Sequence, residues 1–528
     1  MKRAAPTLLA AAIALAYVLI SPPSLDLAAH LLRAKLFGAE GFGLWNNWWY
    51  GGHHVPGYSV LFPPLAWLLS PQLVAALACV GTAAAFEQLA FDRFGPDAWL
   101  GALWFAAATA SDLFTGRLTF AFGLLPAMLS VLALERCRPA AATALAALTA
   151  LSSPVAALFV ALVAAAYALA PILTGERPAT RRLLVGAAVA TGALLPVAVL
   201  SVTFPEGGTE PFALNSMWPV LLICAAALAL FPARERVLRA GALLYLLGTL
   251  ASYLIASPVG GNAVRLAALI AGPLVAMLWL RPHPRWLAAV ALPLLYLQWQ
   301  PAVRDVINAS GDPSERASYD QPLLRFLRQQ GNPPFRVEIP FTKFHTEVLR
   351  VAPEFPSPRG WERQLDIADN ALFYDGSLSP MTYHAWLRRL AVRFVAVSDA
   401  PLDYSSRGEA RLIATRPSYL RPVFSGRHWH VYGVADAAPM LSGAGTQLTA
   451  VGPNSFTLAV ARPGSHLLRV RFTPYWRLTG VPGCVGRSAD GFTALVLRGT
   501  GTARLVIDFA PGRIGAGSQR CSSPGGSR

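Results

Sequence analysis

The chain has 528 residues, 54% of them hydrophobic and only 14% charged, with a formal net charge of +16 and a mean hydropathy of +0.45. Soluble domains carry about 25% charged residues, so the composition excludes an ordinary soluble protein and points to a polytopic membrane protein. The positive charge is almost all arginine in an alanine-rich background, as a GC-rich coding bias produces, and no stacking platform interleaves the arginines, so nucleic acid is not an expected partner.

Apolar runs fill residues 1–300, each near the length needed to cross ~30 Å of hydrocarbon. We expect about 11 spans: 6–22, 61–80, 98–114, 118–134, 140–153, 155–171, 183–202, 218–232, 240–257, 264–280 and 286–300. The first begins Lys2-Arg3 and ends at Ser21-Pro22-Pro23-Ser24, which lacks a signal-peptidase pattern, so it reads as an uncleaved helix. The pair around Ser152-Ser153-Pro154 is short and reads as broken or re-entrant.

Charge asymmetry sets the expected topology. With the N-terminus cytoplasmic, the inner loops hold Arg93, Arg136, Arg138, Arg177, Arg181, Arg182, Arg234, Arg236, Arg239, Arg281 and Arg285, whereas the outer loops hold only Arg33, Lys35, Arg117 and Arg265. An odd number of spans sends everything after residue 300 outside. There we expect a linker (301–322), a small α/β domain (323–440), a β-sandwich with period-two strands (441–514) and a flexible tail (515–528). Cys484 and Cys521 both fall in this outer region, where an oxidising exterior permits a disulfide worth about 3–4 kcal/mol in the loop-entropy model.

The outer loops carry the candidate chemistry. Asp26 opens an amphipathic stretch in which His30 and Arg33 follow at helical spacing. It reads either as a first-turn acid favoured by the helix dipole or as a carboxylate at the membrane surface, able to deprotonate an acceptor hydroxyl or bind a divalent cation. Asp112 lies in the turn Ser111–Arg117. It is either a solvated turn acid or, with Arg117, part of a metal or phosphate site. Arg265 follows a Gly-rich turn, and either snorkels to headgroups or holds a lipid phosphate through paired donors. Trp45, Trp48, Trp49 and Tyr50 read as an interfacial belt or as stacking faces for a sugar. His53 and His54 are adjacent, so their side chains need not converge. No Walker loop, G-x-S-x-G, H-E-x-x-H or dinucleotide fingerprint is present.

Asp26, His30, Trp45, Tyr50-Gly51-Gly52 and Phe62-Pro63-Pro64 together resemble the first outer loop of the GT-C superfamily of integral membrane glycosyltransferases. More narrowly, with Arg393–Asp399, Trp429-His430-Val431-Tyr432 and Pro474-Tyr475-Trp476-Arg477, the chain resembles bacterial membrane proteins labelled 6-pyruvoyl-tetrahydropterin synthase-related and YfhO-like. The resemblance implies a GT-C-like membrane domain. It implies a polyprenyl-phosphate sugar as donor and a glycan or lipid hydroxyl outside the cell as acceptor. Asp26 would be base or metal ligand, with Asp112 as a second acid, and Mg or Mn is the cation implied. His30, Trp45, Tyr50, His53, His54, Arg117 and Arg265 would contact substrate. Many members pair two acids where this chain has Asp26-Leu27. A transporter or flippase for a lipid-linked substrate, which would need polar groups at mid-membrane, and a non-catalytic glycan-binding scaffold are the alternatives.

Overall fold

The computed structural model describes residues 4–177, 179–309, 311–331 and 333–516. The chain divides into two compact units. One takes residues 1–30, 57–201 and 208–310; the other takes 31–56, 202–207 and 311–528.

The first unit is helical: α1 (Ala5–Ile20), the start of α2 (Leu27–Glu40), α3 (Phe62–Leu69), α4 (Pro71–Phe94), α5 (Trp99–Phe114), α6 (Leu118–Glu135), α7 (Pro139–Ser152), α8 (Pro154–Leu169), α9 (Thr180–Thr203), α10 (Leu214–Leu230), α11 (Arg236–Leu254), α12 (Val264–Trp279) and α13 (Pro284–Ala309). Six helical runs, Pro71–Phe114 through Gly260–Trp279, are long and apolar enough to cross a membrane, and Ala5–Ile20, Pro139–Ser152 and Leu214–Leu230 are shorter apolar helices. The chain is a multi-pass membrane protein. Its helices meet through small side chains, with Ala106, Ala108, Ala121, Ala142, Ala146 and Ala156 all buried. Between helices in lipid, close backbone approach does the work that hydrophobic burial does in water.

Two expected spans move. The run 61–80 splits, because the Ser70 side chain caps a fresh helix at Leu73 N and Pro71 opens it. The second long helix is therefore Pro71–Phe94, further along the chain. The expected last span, 286–300, falls in α13, which continues through Pro301 to Ala309, takes the first residues of the expected linker and is not among the helices apolar enough to cross a membrane. The break at Ser152-Ser153-Pro154 is real. Ser153 is extended and its hydroxyl caps Ala156 N at the start of α8.

The second unit is β-rich. A two-residue pair, β1 (Trp45–Asn46) and β2 (His53–His54), closes the 45–54 loop. A four-stranded mixed sheet has the order β3 (Arg336–Glu338), β4 (Val392–Ser398), β6 (Trp429–Val434), β5 (Leu420–Ser425), with β3 parallel to β4 and the other pairs antiparallel. Alternation along β4 feeds two cores. Phe394 and Ala396 pack with Leu323, Leu327 and Trp429, while Val395 packs with Tyr383, Leu387 and Ile413.

Two antiparallel four-stranded sheets follow. One orders β12 (Gly483–Arg487), β13 (Phe492–Leu497), β10 (Gly464–Arg471) and β7 (Leu441–Ser442). The other orders β11 (Trp476–Thr479), β14 (Gly501–Ile507), β9 (Ser455–Val460) and β8 (Thr446–Val451). Phe456, Leu458, Leu468, Val470, Leu495 and Leu505 share one core between them, as in a sandwich. From residue 517 the expected tail lies outside the described residues. So does Cys521, and with it the expected bridge to Cys484.

Candidate functional site

Within the first unit, the start of α2 meets the turn between α5 and α6. Backbone bonds build that turn: Gly116 N donates to Leu113 O (3.0 Å) and Arg117 N to Asp112 O (2.9 Å). Gly116 has φ +76°, and a Cβ there would lie 2.3 Å from Ser24 Oγ and 3.3 Å from Asp26 N. Only glycine lets the turn reach the Ser24–Asp26 backbone. From the other side, the buried His30 ring lies with Nε2 3.0 Å from Gly116 O, so its N–H donates to that carbonyl.

The acids and arginines gather at this joint. Asp112 is buried at the end of α5, with Oδ1 3.7 Å from Arg117 Nη1. Arg265, in the first turn of α12, sits 5.2 Å over the Phe120 ring. Asp26, Asp112, Arg117 and Tyr58 all lie within electrostatic range of its guanidinium. Tyr58 also faces His30, with ring centroids 6.1 Å apart. Its loop is held where Val60 N and Leu61 N donate to Leu151 O (2.9 and 3.1 Å), a carbonyl near the break between α7 and α8. Two carboxylates and two guanidiniums thus come together from three separate stretches of chain: the start of α2, the α5–α6 turn and the first turn of α12. Sequence reasoning missed Ser24 and Tyr58, because only the tertiary approach at Gly116 and Leu151 brings them to the site.

An apolar cavity of about 620 Å³ lies among α8, α10, α11, α12 and α13, lined by Ala166, Leu222, Tyr245, Ile270, Leu274 and Leu294 among others. Tyr245 anchors α12 beside it. The hydroxyl donates to Ala263 O and accepts from Ala267 N. One helix therefore carries Arg265 at its N-terminal end and part of an apolar wall along the next three turns.

The remaining expected site residues belong to the second unit, and there they pack. Trp45 is buried in the sandwich core, 5.7 Å from Trp476 and edge-on to His54 at 4.8 Å. Its indole N–H donates to Asn47 Oδ1. Trp49 stacks on His53 at 6.0 Å and donates to Val348 O. The Tyr50 hydroxyl donates to Glu362 O at 2.8 Å, and burial with nearby Asp366 and Glu362 pushes its ionisation well up, so it stays a donor. Burial pushes His53 down, towards the neutral ring. His54 lies between Glu206 (Nδ1 to Oε1, 2.8 Å) and Thr473 Oγ1 (3.0 Å). The expected membrane-surface belt and sugar-stacking faces are replaced by a core: all these rings are buried. Buried, these large rings gain their full apolar area, and the indole N–H groups of Trp45 and Trp49 and the Tyr50 hydroxyl keep hydrogen-bond partners.

No group of three or more His, Cys, Asp or Glu side chains able to hold a metal ion gathers among the described residues. Asp26 and Asp112 also share their surroundings with two guanidiniums. This donor set does not fit a dedicated Mg or Mn site.

The second unit also buries an ionic cluster that no motif signalled. Arg359, fully buried, pairs with Asp366 (2.6 Å) and Glu409 (3.1 Å) and lies 4.1 and 3.9 Å from the Phe341 and Phe373 ring centroids. Burial, then Glu409, pushes Glu338 well up, so this pair of carboxyls holds a proton. Nearby, burial pushes Glu347 up to about 8, with Thr342 Oγ1 donating to it at 2.5 Å.

No family model and no curated protein matches the chain. Among solved structures, the chain is similar to the crystal structure of ArnT from Cupriavidus metallidurans in the apo state. The two are 14% identical, with 79% of this chain and 94% of that one covered and a TM-score of 0.36.

Proposed function

We propose that this chain is a GT-C-like membrane glycosyltransferase that moves a sugar from a polyprenyl-phosphate donor to an acceptor hydroxyl of a glycan or lipid outside the cell. The observation that carries the reading is the gathering of Asp26, Asp112, Arg117 and Arg265 in one unit, with an apolar cavity along the helix that bears Arg265. A lipid phosphate needs both features: cationic donors for its head and an apolar wall for its tail. The excess of arginine in the other set of loops supports an outer-face position for this cluster.

The acceptor oxygen attacks the anomeric carbon, and its proton passes to the Asp26 carboxylate. The bond from that carbon to the phosphate oxygen breaks, and the electron pair leaves with the polyprenyl phosphate. Arg265 and Arg117 stabilise the charge that develops there, and Asp112 positions Arg117. The direct displacement inverts the anomeric centre.

The test supplies the purified chain, in lipid nanodiscs, with polyprenyl-phosphate sugars and cell-envelope glycans. Release of polyprenyl phosphate is expected, together with a loss of ~10²-fold in Arg265→Met, the scale of one removed charge-stabilising donor. Release at the wild-type rate in that variant contradicts the assignment.

A further inference from the structure

In the second unit, Arg336 opens β3 with its side chain fully buried. Nη1 donates to Leu390 O at 2.7 Å. Nε and Nη2 are buried with no hydrogen-bond partner among the described residues. The charged groups that bear on this guanidinium are themselves cations: burial, then Arg471 and Arg469, push its ionisation down to about 9. Asp369 does not relieve it, because it pairs with Arg471 at 2.9 Å. The charges that bear on Glu338, two residues along the strand, are those of Glu409, Arg359 and Asp366.

The turn that faces Nη2 carries no side chain. Gly51 has φ +70°, and a Cβ there would stand 3.4 Å from Nη2 and 3.7 Å from Cζ. The Tyr50-Gly51 carbonyls face away to Arg471, which donates from Nε to Tyr50 O (2.9 Å) and from N to Gly51 O (2.8 Å). A buried cation with two unfilled donors, on which only other cations bear as charged groups, calls for a negative partner. The full burial admits only a small one.

We propose that Arg336 and the Gly51 turn form a binding site for a small monovalent inorganic anion of the chloride type, which neutralises the buried guanidinium inside the second unit. The ion is held by Nε and Nη2 and by the positive field of Arg469 and Arg471. It is a structural ligand, independent of the glycosyl-transfer reading.

The test compares thermal unfolding of the full chain in detergent as sodium gluconate is replaced by sodium chloride at constant ionic strength. A saturable rise of roughly 2–8 °C in the unfolding midpoint is expected. The rise should vanish in Arg336→Met, which keeps the length and removes the charge, and shrink in Gly51→Ala, which keeps the charge and sets a Cβ against Nη2. Should either variant fail to fold, wild-type crystals grown in bromide carry the test. An anomalous peak in contact with Arg336 Nη2 supports the site. Superimposable unfolding curves in the two salts, or no bromide at Arg336, overturn it in favour of buried water.

Discussion

Gly116 shows how one missing side chain assembles a site. Its positive φ and the 2.3 Å approach that a Cβ would make to Ser24 Oγ leave no room for any other residue. Gly116→Ala should destabilise the protein by about 1–3 kcal/mol and lower kcat more than it raises KM, because it separates Asp26 from Asp112 and Arg117. Calorimetry and a transfer assay check both halves; an unchanged kcat contradicts the role given to this turn. Asp26, Asp112, Arg117 and Arg265 were legible in the sequence because each breaks a local pattern: acids and rare basic residues at the ends of apolar runs. Ser24 and Tyr58 break none. Their place depends on backbone approach between segments about 90 residues apart, which no local spacing records.

At the scale of elements, the 44–56 stretch changes role. Its tryptophans and histidines were visible as an unusual cluster, and the Tyr50-Gly51-Gly52 turn as a special backbone. Their partners were not. Trp45 packs on Trp476 and Phe456 lies in the same core, while Asn47 N donates to Pro453 O at 2.7 Å, all contacts across some 400 residues. A loop that reads as an interfacial belt is thus a buried element of the sandwich unit. Trp45→Ala should cost about 3–5 kcal/mol in the stability of that unit, as for a large ring removed from a core. Limited proteolysis of the second unit reads this directly. Unchanged protection would restore the interfacial reading. The helices themselves, by contrast, were nearly all legible, because hydropathy over a helix length is local, although six helical runs rather than eleven are long and apolar enough to cross a membrane. The exceptions are the Ser70-Pro71 start and the run of α13 to Ala309, where a cap and an accommodated proline decide the ends rather than hydropathy.

At the scale of the whole molecule, an apolar helical unit and a β-rich unit were foreseeable from the change in composition near residue 300. The insertion of residues 31–56 and 202–207 into the second unit was not. The buried ionic groups of that unit give it a pH dependence. Glu347 carries its proton up to about 8 in the folded protein because of burial. An unfolded glutamate titrates near 4.3, so between these values the folded state holds the extra proton and stability falls as pH rises. The difference in unfolding free energy between wild type and Glu347→Gln should therefore shift against wild type from about pH 4.3 to about 8 and level off above it. A pH-independent difference contradicts the assignment of a protonated Glu347.

The central claim is that Asp26 takes the acceptor's proton. A single-turnover transfer assay with purified Asp26→Asn protein and a labelled polyprenyl-phosphate sugar tests it most directly. Donor binding should be retained and the transfer rate should fall by ~10²–10⁴-fold, the range for loss of a general base. Transfer at the wild-type rate would contradict it.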